Sequence, residues 1–197
     1  MQIEIFLALL VFAFTTSITP GPNNMMLFAS GVNFGFVRTI PHMCGIGVGF
    51  LVLLLSVGFG LGALLEAVPL VYTVLKFAGG AYLLWIAWKI GTSRSLSEGK
   101  TGAQPMSFLE AAAFQWVNPK AWVMAVSAMA TYTNAANYTM SVLIVGVAFA
   151  IVNFPSVSTW AGFGSALRQW LSDPARLKWF NITMALLLVA SLWPMLR

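Results

Sequence analysis

Apolar residues along this chain do not alternate with polar ones; they gather into six long runs separated by short polar stretches. Each run is near the roughly 20 residues that a helix needs to cross the hydrocarbon core of a bilayer. The runs cover about residues 3–34, 40–64, 69–90, 107–131, 138–167 and 177–195. Between the third and fourth lies the polar stretch 91–106, with Arg94, Glu98, Lys100 and Pro105, which reads as a linker. Two runs are interrupted within their length: the first at Thr19-Pro20-Gly21-Pro22-Asn23-Asn24, the fourth at Asn118-Pro119-Lys120. Proline supplies no backbone N–H and blocks the preceding turn, so a helix must stop and restart at each. Inside lipid, such a break is tolerated only where the freed backbone groups face protein or line a cavity.

The pattern predicts an all-α integral membrane protein with six transmembrane helices, helices 1 and 4 broken at their Pro motifs. The two halves echo one another. Pro22 and Pro119 fall in the first helix of each half, and Gly58-Phe59-Gly60 and Gly162-Phe163-Gly164 end the second. Three helices per half reverse the direction of entry, so residues 1–90 and 107–197 are expected to form two inverted three-helix repeats within one transmembrane domain, 1–197. The loops joining runs 1–2, 3–4 and 5–6 contain or border Arg38, Lys89, Arg94, Lys100, Arg168, Arg176 and Lys178. The opposite face offers only Arg197 as a cation, with Glu66 and the uncharged stretch 132–137. The basic face is therefore expected in the cytoplasm and both termini outside.

Composition narrows the class further. Of the 197 residues 59% are hydrophobic and 8% charged, against roughly 25% charged in soluble domains, and the mean hydropathy is +0.86. The opening Met1-Gln2-Ile3-Glu4 is acidic where a cleaved leader would be positive, so the first run reads as a span. The net charge of +5 belongs to loops and lipid headgroups. No aromatic platform accompanies the basic residues, so no nucleic-acid partner is expected. With one cysteine, Cys44, and one histidine, His42, neither an internal disulfide nor a metal site of the usual ligand count can form. No cofactor is expected. The nucleophile and metalloprotease motifs are absent, and no carboxylate pair is placed for acid–base work, so an enzyme is not expected.

The breaks hold the candidate chemistry. After Pro20-Gly21-Pro22 a restarting helix offers N–H groups from Asn23 onward at its positive end, a site for a carboxylate. The preceding half-helix ends in carbonyls around Ser17–Thr19, expected to be free for an ammonium, and the side chains of Asn23 and Asn24 add donors and acceptors. An amino-acid zwitterion fits this arrangement; the alternative is a Pro kink healed by Ser and Thr. Asn118, Pro119 and Lys120 form the second half of the candidate site, Lys120 being an ionisable residue near the middle of its run whose ammonium can take the substrate carboxylate or exchange a proton. Its alternative is to snorkel to water. Lys76 and Glu110 lie nearer the ends of their runs and read as snorkelling or ion-paired, with proton coupling as the lesser option. His42 reads as a hydrogen-bonded structural residue, with a proton relay as the alternative. Gly31-x-x-x-Gly35, Gly45-x-x-x-Gly49 and Gly58-x-x-x-Gly62 read as close-packing faces between helices, or as the face of a homodimer.

At these residues the chain resembles the lysine exporter superfamily, in particular its homoserine/threonine-exporter branch. The pieces are Thr19-Pro20-Gly21-Pro22-Asn23-Asn24, Gly31-x-x-x-Gly35 with Arg38, Gly45-x-x-x-Gly49, Lys76-Phe77-Ala78-Gly79-Gly80-Ala81-Tyr82-Leu83, Trp88-Lys89 and Phe114-Gln115-Trp116-Val117-Asn118-Pro119-Lys120-Ala121. The stretches 76–83 and 85–89 look most like members that export cysteine and O-acetylserine. The resemblance implies export of a small amino acid or derivative across the bacterial inner membrane, driven by protons, with the site at residues 20–24 and 118–120. It also marks a departure: many relatives have an acidic residue inside the second span, but residues 38–65 hold no Asp or Glu and Phe50 stands in that region. That leaves the route of proton coupling open and argues against a dibasic substrate. The competing class is a membrane assembly protein whose glycine faces bind partner helices and which transports nothing.

Overall fold

A computed structural model describes residues 1–61, 69–94, 96 and 104–193. Eight α-helices and no strand occur among the described residues. Helix α1 (Ile3–Ile18) and α2 (Pro22–Phe34) are the two parts of the first run, bent by 55° at the break. Helix α3 (Phe36–Ser56) follows after one residue, Gly35, whose φ of 82° lies where side chains are disfavoured. The second helix therefore starts at Phe36, ahead of the predicted residue 40. It runs into a π-helical turn, Val57–Leu61, distorted at Gly60 (φ 114°), where the Tyr138 hydroxyl donates to the Gly58 carbonyl at 2.6 Å. Helix α4 spans Pro69–Thr92. Much of the expected linker, with Glu98 and Lys100, lies outside the described residues, as do Glu66 and Gly62.

The fourth run divides into α5 (Phe108–Phe114), a 3-10 turn at Gln115–Val117, and α6 (Pro119–Tyr132). Helices α7 (Tyr138–Leu167) and α8 (Pro174–Ala190) complete the chain. By length and composition, two segments can cross a membrane alone, Phe36–Leu61 and Ala135–Leu167, and the bent α1–α2 pair makes a third. The outward faces are apolar: Leu7, Val11, Phe77, Val123, Ile151 and Leu186 are all more than half exposed, as lipid contact requires.

Four apolar clusters fill the interior among the described residues, and the two largest flank the breaks. One joins Leu9 and Ala13 of α1, Leu53 and Leu54 of α3, Trp122 and Ala125 of α6, and Val145 and Phe149 of α7. The other joins Met25 and Met26 of α2, Leu83 and Ile86 of α4, Phe114 at the end of α5, and Met184 and Leu188 of α8. The Pro20–Pro22 break separates α1 in the first cluster from α2 in the second, and the Asn118-Pro119 break separates Phe114 in the second from α6 in the first. Both interruptions thus occupy the boundary between the two clusters.

Glycines set the closest crossings, in part as the spacing predicts. A Cβ on Gly45 or Gly49 would collide with the backbone of Phe108 or Ala112 on α5, so α3 and α5 meet backbone to backbone. Gly31 of α2 meets the backbone of Ala161, and Gly164 of α7 meets that of Phe28. Gly35 serves no packing face; it ends α2, its N–H bonded to the Gly31 carbonyl at 2.9 Å. Gly162-Phe163-Gly164 stays helical near the end of α7, so it does not reproduce the distorted turn at Gly58–Gly60. A buried amide pair, Asn33 Nδ2 to Asn181 Oδ1 at 3.1 Å, ties α2 to α8, and Asn181 Nδ2 reaches the Ser93 carbonyl beyond α4 at 3.1 Å.

Candidate functional site

A broken helix leaves carbonyls at the end of one half and N–H groups at the start of the next. At the first break α1 stops at Ile18, Thr19 is extended, and Pro22 takes the first position of α2, where its missing N–H costs nothing. The sequence suggests that the carbonyls around Ser17–Thr19 are free; the structure corrects this. The Asn24 amide donates to both Ser17 O and Thr19 O at 2.8 Å, Trp160 Nε1 donates to Ile18 O at 3.0 Å, and the Thr19 hydroxyl donates to Thr16 O at 3.1 Å. Asn24 is therefore the clasp of this break, buried to 3% exposure.

At the second break the 3-10 turn brings the chain to Asn118, which is extended and caps α6: its Oδ1 accepts the Lys120 backbone N–H at 3.2 Å. Trp122 Nε1 donates to the Trp116 carbonyl at 2.8 Å. The Val117 carbonyl rests on Gly79 of α4, where a Cβ would collide with it.

Lys120 sits in the first turn of α6, at the positive end of its own helix, where a cation is disfavoured. Its ammonium crosses to the other break, donating to Thr19 O at 2.7 Å and to Thr19 Oγ1 at 3.0 Å, with Pro20 O at 3.5 Å. That is the negative end of α1. The stem of Lys120 passes so close to Gly21 that a Cβ there would lie 2.7 Å from its Cδ. Gly21 is extended (φ −176°), so close approach rather than a special conformation requires glycine. A second cross-link is reciprocal: Asn23 Nδ2 donates to Gln115 Oε1 at 2.8 Å and Gln115 Nε2 to Asn23 Oδ1 at 3.1 Å.

Between the breaks lies a polar cavity of about 20 Å³, lined by Gly21, Asn23, Asn24, Asn118 and Lys120 together with Thr16, Ser17, Phe50, Ala121, Met124, Asn153 and Val157. Such a volume holds about one water molecule, so an amino acid fits only if the walls move apart. Pro20, Pro22 and Pro119 set the breaks without lining it. Thr19 is among the carbonyls expected to take an ammonium, and that of Lys120 occupies it; Gln115 and Asn153 are not among the candidates the sequence offers. Gln115 lies within the quoted 114–121 motif, and Asn153 is an amide isolated in an apolar run, the signal that could have found it.

The family model of the LysE type translocator matches residues 14–190, which include both breaks and every residue lining the cavity. The chain belongs to the LysE type translocator family. Proteins named cysteine/O-acetylserine efflux protein from Escherichia coli O9:H4 (strain HS), Escherichia coli (strain K12) and Shigella flexneri serotype 5b (strain 8401) are each 33% identical to it over 178 residues, covering 88% of both chains. No solved structure matches it. The family is one of transporters rather than enzymes.

The translocator has a second cavity, of about 820 Å³, bounded by α2, α4 and residues 104–107. His42 and Glu110 line it, with Lys89, Tyr82 and Ser30. His42 is expected to be hydrogen-bonded, but at 2% exposure neither ring nitrogen has a partner among the described residues. Glu110 is exposed and holds its own helix: its carboxylate accepts the Ser107 N–H at 2.8 Å while the Ser107 hydroxyl accepts the Glu110 N–H at 3.3 Å. Lys76 is half-buried on α4 and lines neither cavity.

Proposed function

We propose that this translocator is a secondary active exporter of a small neutral amino acid or derivative, of the cysteine/O-acetylserine or threonine/homoserine type. It works by alternating access and is driven by protons moving inward as substrate leaves. In this reading six spans form two inverted three-helix repeats in the bacterial inner membrane, with both termini outside.

One observation carries the reading: the two helix breaks meet at a shared polar cavity, bridged by the Lys120 ammonium on Thr19 and by the Asn23–Gln115 amide pair. Interrupted helices that meet between repeats are the arrangement in which transporters bind solutes. The substrate carboxylate replaces Thr19 as the partner of Lys120, and the N–H groups of Asn23 and Asn24 at the start of α2 add donors to it. Among the described residues, Lys120 is the one charged residue in the cavity lining. A zwitterion therefore brings no net charge beyond what the cavity can accept, whereas a dibasic substrate brings a cation with no counter-charge. The names of the relatives at 33% identity support the same substrate class. Proton exchange is assigned to His42, which is buried beside the larger cavity with Glu110 near it and has no hydrogen-bond partner on either ring nitrogen among the described residues; an imidazole nitrogen can accept and return a proton.

The test is counterflow in proteoliposomes. Vesicles loaded with unlabelled cysteine, O-acetylserine, threonine or homoserine should take up the labelled compound, and a pH gradient should drive net movement of the exchanging species. If folded, reconstituted protein exchanges none of them, the proposal fails.

A further inference from the structure

The proposed substrate has two charged ends, and the partners so far assigned serve only its carboxylate. The carbonyls that might have taken the ammonium are occupied: Ser17 O by Asn24, Ile18 O by Trp160, Thr19 O by Asn24 and Lys120. The cavity is rich in donors, since Lys120, Asn23 and Asn24 all present N–H groups around it. With those carbonyls taken, an acceptor for the ammonium must come from a side chain around the cavity.

Asn153 supplies one. It projects from α7 into the same small cavity, opposite Phe50 of α3, and is 5% exposed. Its Nδ2 donates to Ser17 Oγ at 3.2 Å, which fixes the plane of the amide. Its Oδ1 is buried and has no partner among the described residues. An unsatisfied acceptor at that depth is costly, and the ammonium of a substrate, with three N–H groups, relieves the cost. Turning the amide over would instead direct its NH₂ into a cavity that already holds the Lys120 ammonium, the less favourable setting. The residue also answers the departure noted at Phe50: no acidic side chain reaches the cavity from α3, and a neutral acceptor reaches it from α7.

We infer that Asn153 is a substrate-binding and specificity-determining residue, its Oδ1 accepting a hydrogen bond from the substrate ammonium while Lys120 holds the carboxylate. This rests on the export reading above. Being neutral, Asn153 satisfies one ammonium without attracting a second positive charge, so it selects monoamino over diamino substrates.

The test uses the full chain in proteoliposomes and compares competitors of counterflow. Each exchanging amino acid is paired with its analogue lacking the α-amino group: 3-mercaptopropionate for cysteine, 3-hydroxybutyrate for threonine. In Asn153→Leu the amino acid should compete roughly 10- to 100-fold less well, the range for a hydrogen bond to a charged group, while the deamino analogue is unaffected. Equal weakening of both, or no change for the amino acid, overturns the inference. In Asn153→Asp, 2,4-diaminobutyrate should compete roughly 10-fold better than against wild type, by at least one charge-assisted bond; unchanged competition there overturns it even if the leucine variant fails to fold. Absence of counterflow by the wild-type chain is a different result, since it removes the export reading itself.

Discussion

Replacing Lys120 with Met removes the ammonium and keeps most of the stem. Two hydrogen bonds to Thr19 are lost, at 2.7 and 3.0 Å, and a bond to a charged group is worth about 1.5–3 kcal/mol. The Thr19 carbonyl is not orphaned, because Asn24 still donates to it at 2.8 Å. The half-buried ammonium also takes its desolvation cost with it. The net change in folding stability should therefore stay within about 2 kcal/mol, and Lys120→Met should reach the membrane in normal amount and elute as a single species in detergent. Transport should fare differently. Truncating one member of a buried charge pair costs about 2–5 kcal/mol in binding, roughly 30- to more than 1,000-fold in apparent affinity. Counterflow of any exchanging amino acid should fall to the level of empty vesicles at moderate substrate concentration. Lys120→Arg should recover little, because the planar guanidinium must pass over Gly21, where the lysine stem already leaves no room for a Cβ. Wild-type counterflow by Lys120→Met would refute the reasoning, showing that the crossing ammonium serves only to hold the two breaks together.

Three further substitutions probe separate parts of the argument. Gly21→Ala meets no backbone restriction at φ −176°, but its Cβ would push the Lys120 stem off Thr19; expression should be normal and counterflow should drop by roughly 10-fold, one charge-assisted bond, and unchanged kinetics would contradict the contact. Gly45→Val forces side-chain atoms against the Phe108 backbone and to within 2.8 Å of Ala111 Cβ; it should destabilise by about 3 kcal/mol and lower the Tm of the detergent-solubilised protein by several degrees, so an unaltered Tm would exclude the close α3–α5 crossing. His42→Gln should abolish acceleration of transport by a pH gradient and leave counterflow at equal pH intact; a preserved response to the gradient would remove His42 from proton coupling.

The two breaks were legible in the sequence because proline acts locally: Pro22 and Pro119 end a helix wherever they stand, and the apolar runs around them fix their depth. What meets each break was legible only in part, because Asn24 folds back locally on Ser17 and Thr19 while the other partners come from distant positions. The expectation of free carbonyls at residues 17–19 failed on both counts: Asn24 takes Ser17 O and Thr19 O from within the motif, and Trp160 and Lys120 take Ile18 O and Thr19 O from 142 and 101 residues away. Spacing alone could not separate Gly31, which packs against α7, from Gly35, which caps α2 with a positive φ. His42 was expected to find a hydrogen-bond partner, and the cavity beside it leaves both nitrogens without one among the described residues. Glu110 is a different case. Ser107-Phe108-Leu109-Glu110 is a capping box readable from the sequence, and the ion-pair reading passed over a signal that was present.

The position of Lys120 links the fold to the proposed cycle. A cation in the first turn of α6 is at the unfavourable end of its own dipole, and it is balanced only because the negative end of α1 lies across the cavity. Beside the Asn23–Gln115 amide pair, the two broken helices are thus joined by a charge that sits at the unfavourable end of its own helix. Separating them with the cavity unloaded takes the ammonium from its two acceptors on Thr19 and leaves it at the positive end of α6. In the proposed export cycle, a carboxylate bound to Lys120 supplies a counter-charge during the same separation. On the export reading, this makes opening conditional on loading: the contact that closes the site is the one the substrate must replace, so the unloaded protein resists the movement that would let solutes leak through it.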